Sequence, residues 1–155
     1  MPTLELEALA PEQIDLAYPL IRMASPDVTP ERWRTYAGAL VADGGGLFAV
    51  RAGGDSLHGL AAFRVAEALS GRVLQVEAFV TFELSAKAPV RRKLLAGLER
   101  RAAALGCTSL SLSLPSRGYL PATSDKAQAW SAFGLAPQGV AFAKRLPIHQ
   151  VHPSA

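Results

Sequence analysis

The pattern of hydrophobic and polar positions divides the first half of the chain into strands and helices. Residues 3–9 (TLELEAL) alternate and predict a half-buried strand. Two segments with helical spacing follow, at 11–21 and 30–41; we expect Pro19 to kink the first and the hydroxyl of Thr29 to cap the second. Glycine-rich turns then separate apolar runs that predict an antiparallel meander of strands at 47–52, 59–68 and 73–82.

The second half begins with an amphipathic helix over 89–105, whose apolar positions fall on one stripe. A glycine ends this helix, and the alternating SLSLSLP of 109–115 predicts the next strand. A strand, a helix and a strand in this order imply a right-handed parallel crossover. A short helix over 126–133 and a last strand over 139–146 follow, before a proline-broken tail over 147–155 that we expect to be mobile.

The composition is typical of one globular domain, which we place at residues 1–146. The chain has 155 residues, half of them hydrophobic, and a net charge of only +3. Cys107 is the single cysteine and the three histidines lack the spacing of a zinc site, so we expect no metal. No apolar run approaches the roughly 18 residues of a membrane span, and we expect a cytoplasmic protein without a membrane partner. Nucleic-acid binding is the weakest hypothesis, because the basic residues of the 89–105 helix form no continuous stripe and carry no interleaved aromatics.

The order of predicted elements, β-α-α-β-β-β-α-β-α-β, resembles the GNAT superfamily of N-acetyltransferases. The uninterrupted stretch VEAFVTFELSAKAPVRRKLLAGLERRAAALGCTSLSLSL is similar to the family's acyl-CoA segment of strand, pyrophosphate loop, helix and strand. AQAWSAFGLAPQGVAFAKRL is similar to the family's closing segment, and the strand pair GLAAFRV and RVLQVEAFV to its central hairpin. The resemblance implies an α/β (α+β) fold with a mixed central sheet and helices on both faces.

The same resemblance implies a function. It predicts a transferase that uses acetyl-CoA or another acyl-CoA as co-substrate and acylates an amine by direct attack on the thioester. The acceptor would be an amine of a small molecule or a protein, but the first two helices and the loop at 116–124 carry no motif that selects one. The alternative is a catalytically inactive GNAT-like domain that binds a ligand or partner. The sequence does not decide between a monomer and a homodimer.

The phosphate loop departs from the family's pattern of Arg/Gln-x-x-Gly-x-Gly/Ala. With the leucine pair Leu94–Leu95 as anchor, Pro89 stands at the first glycine; with Val80 as anchor, Ala88 stands there. Both registers remain open. A helix N-terminus attracts phosphate through unpaired N–H groups and its dipole, which does not require glycine. The alternative interpretation is that Pro89 is simply a favourable first residue of a helix.

Several residues are therefore candidates for contact with the cofactor. Three basic side chains could reach its phosphates, and Thr123 stands where the family often has an asparagine near the cofactor. The candidates are Phe79, Val80, Lys87, Ala88, Pro89, Val90, Arg91, Arg92, Thr123 and Lys126.

Glu77 is the candidate catalytic base, because the family often uses a glutamate on the third meander strand. Glu83 is a weaker second candidate. Alternation places Glu77 on one face of the strand with Phe79, and Val76 and Ala78 on the other. The alternative is that Glu77 is an exposed, solubilising residue.

The family's proton donor for the leaving thiolate is a tyrosine near the end of the last short helix, and Trp130 stands at that position. An indole N–H is not a practical acid, so water or another group would have to supply this proton. Core packing is the alternative role for Trp130.

Overall fold

A computed structural model describes residues 3–54, 56–113 and 129–136, together with 144 and 147. Backbone contacts divide the chain into a first unit, Met1–Pro115, and a second unit, Ser116–Ala155. The predicted last strand and tail, and the start of the predicted last helix, lie outside the described residues apart from single positions. The single domain over 1–146 stays a prediction.

The helices and strands of the first unit follow the predicted order closely. They are β1 (Leu4–Ala8), a 3-10 helix (Pro11–Ala17), α1 (Tyr18–Ala24), α2 (Pro30–Ala42), β2 (Gly46–Ala52), β3 (Leu57–Ala68), β4 (Gly71–Thr81), α3 (Pro89–Ala104) and β5 (Ser109–Leu112). In the second unit, residues 129–131 are helical.

The strands of the first unit form one mixed sheet. Its five described strands lie in the order β1-β2-β3-β4-β5. Neighbours are antiparallel except β4 and β5, which are parallel. The predicted meander and the parallel crossover through α3 are therefore confirmed, whereas a sixth strand falls outside the described residues.

Each face of the sheet carries its own hydrophobic core. On one face the 3-10 helix, α1 and α2 pack against the strands, and on the other α3 does. Trp33 of α2 is 2% exposed, and its indole N–H donates to the Ile14 carbonyl oxygen at 2.9 Å, which ties α2 to the 3-10 helix. The prediction of helices on both faces is confirmed.

The structure has the predicted cap of α2 but divides the predicted first helix in two. Thr29 caps α2 as predicted, since its hydroxyl oxygen accepts the Arg32 N–H at 3.1 Å. The predicted kinked first helix is instead two helices, a 3-10 helix that ends at Ala17 and an α-helix that begins at Tyr18. Pro19 is the second residue of α1, where its missing N–H costs no intrahelical hydrogen bond.

Cys107 is a half-buried free thiol that packs against the α3 core. The described residues contain no group of three His, Cys, Asp or Glu side chains placed to hold a metal. None of the helices in the described part of the chain is long and apolar enough to cross a membrane.

Candidate active site

The described pairing of β4 with β5 ends in the middle of β4. Their pairing runs only from Val73 with Ser109 to Val76 with Leu112, and one further N–H, that of Ser113, donates to the Val76 carbonyl oxygen at 3.0 Å. Beyond this point β4 pairs with β3 alone among the described strands. Within the described residues, the other edge of β4 beyond Val76 has no strand partner, and its backbone N–H and C=O groups can pair with an extended ligand that contains amides.

Glu77 lies in a β-bulge at the point where the two strands part. Ala62 of β3 pairs with Ala78 and the next residue, Phe63, pairs with Val76, so Glu77 is the extra residue of β4. A bulge of this kind turns the strand and redirects its side chains. The bulge places Glu77 under α2.

The bulge also overturns the predicted division of faces. Val76 belongs to the core under α3, whereas Ala78 and Val80 belong to the core under α1 and α2. Strict alternation had placed these three residues on one face. The prediction was wrong because the extra residue reverses the alternation from Ala78 onward.

Two side chains hold the Glu77 carboxylate. The Tyr36 hydroxyl of α2 donates to Oε2 at 2.5 Å. Arg64 of β3 forms an ion pair with Oε1, and its Nη2 donates to Oε2 at 3.2 Å. The Arg64 and Glu77 side chains are 35% and 30% exposed, so solvent can still reach the carboxylate.

The electrostatics keep Glu77 ionised and Tyr36 protonated. Burial by itself raises the pKa of Glu77, but the hydrogen bonds from Tyr36 and Arg64 and the charge of Arg64 outweigh it, and the net pKa lies below the ordinary value. Burial, followed by the hydrogen bond to Glu77, raises the pKa of the Tyr36 phenol. Glu77 is therefore an oriented anion whose basicity its partners reduce.

The loop from β4 to α3 forms a tight turn. The Ala88 N–H donates to the Ser85 carbonyl oxygen at 3.1 Å, and the Lys87 N–H donates to the Ser85 hydroxyl at 3.1 Å. Ala88 has φ 49° and ψ 56°, and among the described residues it is the only non-glycine with a positive φ. This left-handed conformation suits glycine. Ala88 is also the first-glycine position in the register anchored on Val80.

The first N–H groups of α3 are bound by a carboxylate of the same chain. Glu83 Oε1 accepts the Val90 N–H and Oε2 accepts the Arg91 N–H, each at 3.0 Å. Pro89 has no N–H, and the Arg92 N–H already donates within the helix to the Ala88 carbonyl oxygen. The glutamate proposed as a second base therefore caps the helix end predicted to hold phosphate.

The other predicted cofactor residues of the first unit are close in sequence but differ in exposure. Lys87 is exposed, as is Arg92, whose Nε donates to the Lys87 carbonyl oxygen at 2.9 Å. Val80 and Val90 are buried, at 9% and 2% exposed, so they can offer a ligand only backbone groups. Phe79 is half-buried and packs on the α3 side of the sheet. Lys87, Pro89 and Arg92 are thus the exposed members of this set, and two of them are basic.

Trp130 belongs to the second unit, where it lies in the short helical segment and its ring centroid is 6.3 Å from that of Phe133. Thr123 and Lys126 lie outside the described residues. Their predicted contacts with the cofactor stay predictions.

No motif in the sequence singles out Tyr36 or Arg64. Tyr36 falls in the helical segment 30–41, and Arg64 lies in the predicted strand 59–68. Their role follows from the fold, since α2 crosses above the bulge and β3 pairs beside it. The only local signal is that Tyr36 shares the helix face of buried Trp33 and Leu40, which directs its hydroxyl toward the sheet.

An apolar pocket of about 400 Å³ opens near the end of β4. Four of its lining residues come from the 3-10 helix and α1, and the others come from the start of β3 and from Phe82. The lining residues are Leu16, Pro19, Leu20, Met23, Ser56, Leu57, His58 and Phe82. Leu16, Met23 and Phe82 are about half exposed, at 46%, 52% and 46%, so this wall presents apolar surface to solvent beside the loop that leads to α3.

Comparison with known proteins gives a likeness in structure rather than in sequence. No protein-family model and no curated protein sequence matches the chain. An aminoglycoside N-acetyltransferase solved in complex with CoA superposes with a TM-score of 0.75 at 14% identity, covering 94% of this chain and 97% of that one. A ribosomal-protein-alanine N-acetyltransferase from Brucella melitensis biovar Abortus 2308 gives 0.69 at 18% identity (93% and 100% covered), and a glucosamine-6-phosphate N-acetyltransferase from Arabidopsis thaliana gives 0.69 at 12% (94% and 99%).

At these identities the likeness establishes the fold. The chain has the fold of the GNAT N-acetyltransferases, and the resemblance inferred from the order of elements is confirmed at that level. The part of the fold that carries the parted strands, the bulge and the loop to α3 lies in the first unit.

Proposed function

We propose that this protein is an acyl-CoA-dependent N-acyltransferase that transfers an acetyl group from acetyl-CoA to an amine of a small molecule or a protein. The observation that carries the proposal is the Glu77 carboxylate, held at the bulge where β4 leaves β5. From there the open edge of β4 leads to the N-terminus of α3. Solved proteins of this fold include one with CoA bound and others named for amine acceptors, which supports this reaction class.

In the proposed reaction, acyl-CoA supplies an activated thioester carbon. Glu77 accepts a proton from the attacking amine, directly or through one water, and the nitrogen then bonds to that carbon as the carbon–sulfur bond breaks. The leaving thiolate takes its proton from solvent, since Tyr36 is held by Glu77 and its pKa is raised. Tyr36 and Arg64 orient the carboxylate and lower its basicity.

The cofactor would lie along the open edge of β4. Backbone groups near Phe79 and Val80 would pair with the amides of its pantetheine arm. Lys87 and Arg92 would bind its phosphates at the start of α3. The N–H groups of Val90 and Arg91 could join them only after Glu83 has left.

The decisive test compares thiol release by the wild-type protein and by Glu77→Gln, with acetyl-CoA and a panel of amines. We expect kcat to fall about 10²–10⁴-fold, as is typical on loss of a general base, while KM for acetyl-CoA stays within about twofold. Glu99→Gln, on the exposed side of α3, is the matched control and should leave kcat unchanged. Wild-type kcat in Glu77→Gln would contradict the assigned role.

Binding is tested independently of turnover. A ligand selective for the folded state stabilises it by about 2.7 kcal/mol at 100 times its Kd, so acetyl-CoA should raise the melting temperature. No shift with millimolar acetyl-CoA, CoA or longer acyl-CoAs would contradict the proposal.

The alternative is a GNAT-like domain without catalysis. The carboxylate of Glu83 on the first N–H groups of α3 favours it, because that contact removes donors that a phosphate would need. Such a protein would release no thiol with any amine of the panel, whether or not it binds CoA.

A further inference from the structure

We propose that Glu83 is an internal competitor for the phosphates of the cofactor, so that CoA binds only to molecules whose Glu83 side chain has swung away from α3. The inference rests on the proposed function, because it assumes that CoA is the ligand. The inference goes beyond the proposed function because it predicts that the Glu83 side chain weakens CoA binding.

The geometry of the contact is that of a bound anion. Each oxygen of the Glu83 carboxylate accepts one N–H, from Val90 and Arg91, at 3.0 Å. A phosphate at the same helix end would use the same two donors and the same helix dipole. Two anions cannot occupy these N–H groups at once.

The surrounding chain leaves Glu83 able to move. Its neighbours Phe82 and Leu84 are 46% and 74% exposed, and its carboxylate accepts the Val90 and Arg91 N–H groups. The Phe82 N–H donates to the His58 carbonyl oxygen at 2.7 Å, which anchors the backbone just before Glu83. Rotation of the side chain about its own bonds is therefore enough to free the helix end.

The turn of the loop does not depend on this contact. The Ala88 N–H donates to the Ser85 carbonyl oxygen, the Lys87 N–H donates to the Ser85 hydroxyl, and the Arg92 N–H donates to the Ala88 carbonyl oxygen. When Glu83 leaves, the Val90 and Arg91 N–H groups still point out of the first turn. Release of the carboxylate thus produces free donors rather than a rearranged loop.

The size of the effect depends on the fraction of molecules in which Glu83 occupies the Val90 and Arg91 N–H groups. If Glu83 occupies the N–H groups in about nine of ten molecules, the apparent Kd for CoA is raised about tenfold, which corresponds to about 1.4 kcal/mol. Removing the carboxylate should therefore lower the apparent Kd for CoA by this factor of about ten.

The test is calorimetric measurement of the Kd for CoA with the wild-type protein, Glu83→Ala, Glu83→Gln and Glu99→Ala. We expect Glu83→Ala to bind about tenfold more tightly, Glu83→Gln to lie between it and the wild type, and Glu99→Ala, which removes an equal charge from the exposed side of α3, to match the wild type. Inorganic pyrophosphate should stabilise the variants in the same order in a thermal shift assay. Hydrogen exchange at the Val90 and Arg91 amides should speed up in Glu83→Ala and slow again when CoA is added.

The outcomes separate this inference from the proposed function. If wild-type protein binds CoA and Glu83→Ala binds it equally or more weakly, Glu83 is only a helix cap and the inference is overturned, while the acyltransferase proposal stands. If no variant binds CoA, both fail. If only the Glu83 variants bind CoA, the inference is supported, and the Glu83 carboxylate prevents CoA binding in the wild-type protein. Should Glu83→Ala unfold, Glu83→Gln carries the same comparison.

Discussion

Replacing Ala88 with glycine should stabilise the protein. Ala88 has φ 49° and ψ 56°, and its side chain makes no capping hydrogen bond. The left-handed conformation costs an L-residue about 1–2 kcal/mol, which glycine does not pay, while the greater freedom of glycine in the unfolded chain costs about 0.4–1 kcal/mol. The free energy of unfolding should therefore rise by about 0.5–1 kcal/mol, a gain of about 1–4 °C in Tm for a domain of this size.

Equilibrium unfolding in urea measures the effect, with Ala39→Gly as the matched control. Ala39 is exposed within α2, so the same chemical change there should lower the free energy of unfolding by about 1 kcal/mol. The two variants should thus differ in sign at an unchanged m value. If Ala88→Gly destabilises as much as Ala39→Gly does, the backbone at Ala88 is not left-handed in solution and the reasoning fails.

Two further substitutions test the bulge and the α2–β2 turn. Arg64→Met should raise the pKa of Glu77, readable by carboxyl NMR titration, because only the hydrogen bond from Tyr36 would then oppose the effect of burial. The folded-state pKa of Glu77 lies below its unfolded value, so the ion pair stabilises the protein only while Glu77 is ionised. In urea unfolding, Arg64→Met should therefore cost about 0.5 kcal/mol at pH 7 for this partly exposed pair, and the difference should vanish as the pH falls below about 4. An unchanged pKa of Glu77 would contradict this prediction. Gly45→Ala should destabilise the protein by about 1–3 kcal/mol, because the added Cβ would lie 2.5 Å from the Phe63 carbonyl oxygen. Gly38→Ala, whose Cβ would have nothing within 4 Å, should stabilise it by up to about 1 kcal/mol. Thermal unfolding that ranks the two variants the other way would refute the packing argument.

Most of the described fold could be predicted from periodicity. The helix over 89–105 and the alternating strand after it are signals that repeat over several turns or residues, and such local patterns survive in the tertiary structure. The cap at Thr29 was equally local, because a hydroxyl and the N–H three residues on are neighbours in any helix. The division of the first helix between Ala17 and Tyr18 was missed, since one sequence can satisfy a 3-10 and an α-helix with nearly the same spacing.

The candidate site was predictable only in part. Glu77 was selected from the family pattern, but its face on the strand was wrong because one extra residue in β4 cannot be recognised before its pairing with β3 is known. The glycine-poor loop was visible in the sequence, and one of its two registers placed Ala88 at a glycine position, but only the structure shows that Ala88 has the left-handed conformation.

Periodicity and turn residues were thus sufficient for the order of elements, the parallel crossover and the position of a helix start after β4, because each depends on neighbours along the chain. The partners of Glu77 and the carboxylate on the Val90 and Arg91 N–H groups came only with the folded structure. Tyr36 and Glu77 are 41 residues apart, and their contact depends on how α2 packs over the sheet. Glu83 and Arg91 are only 8 residues apart, but they meet because the loop between them turns back at a left-handed alanine that no local preference predicts.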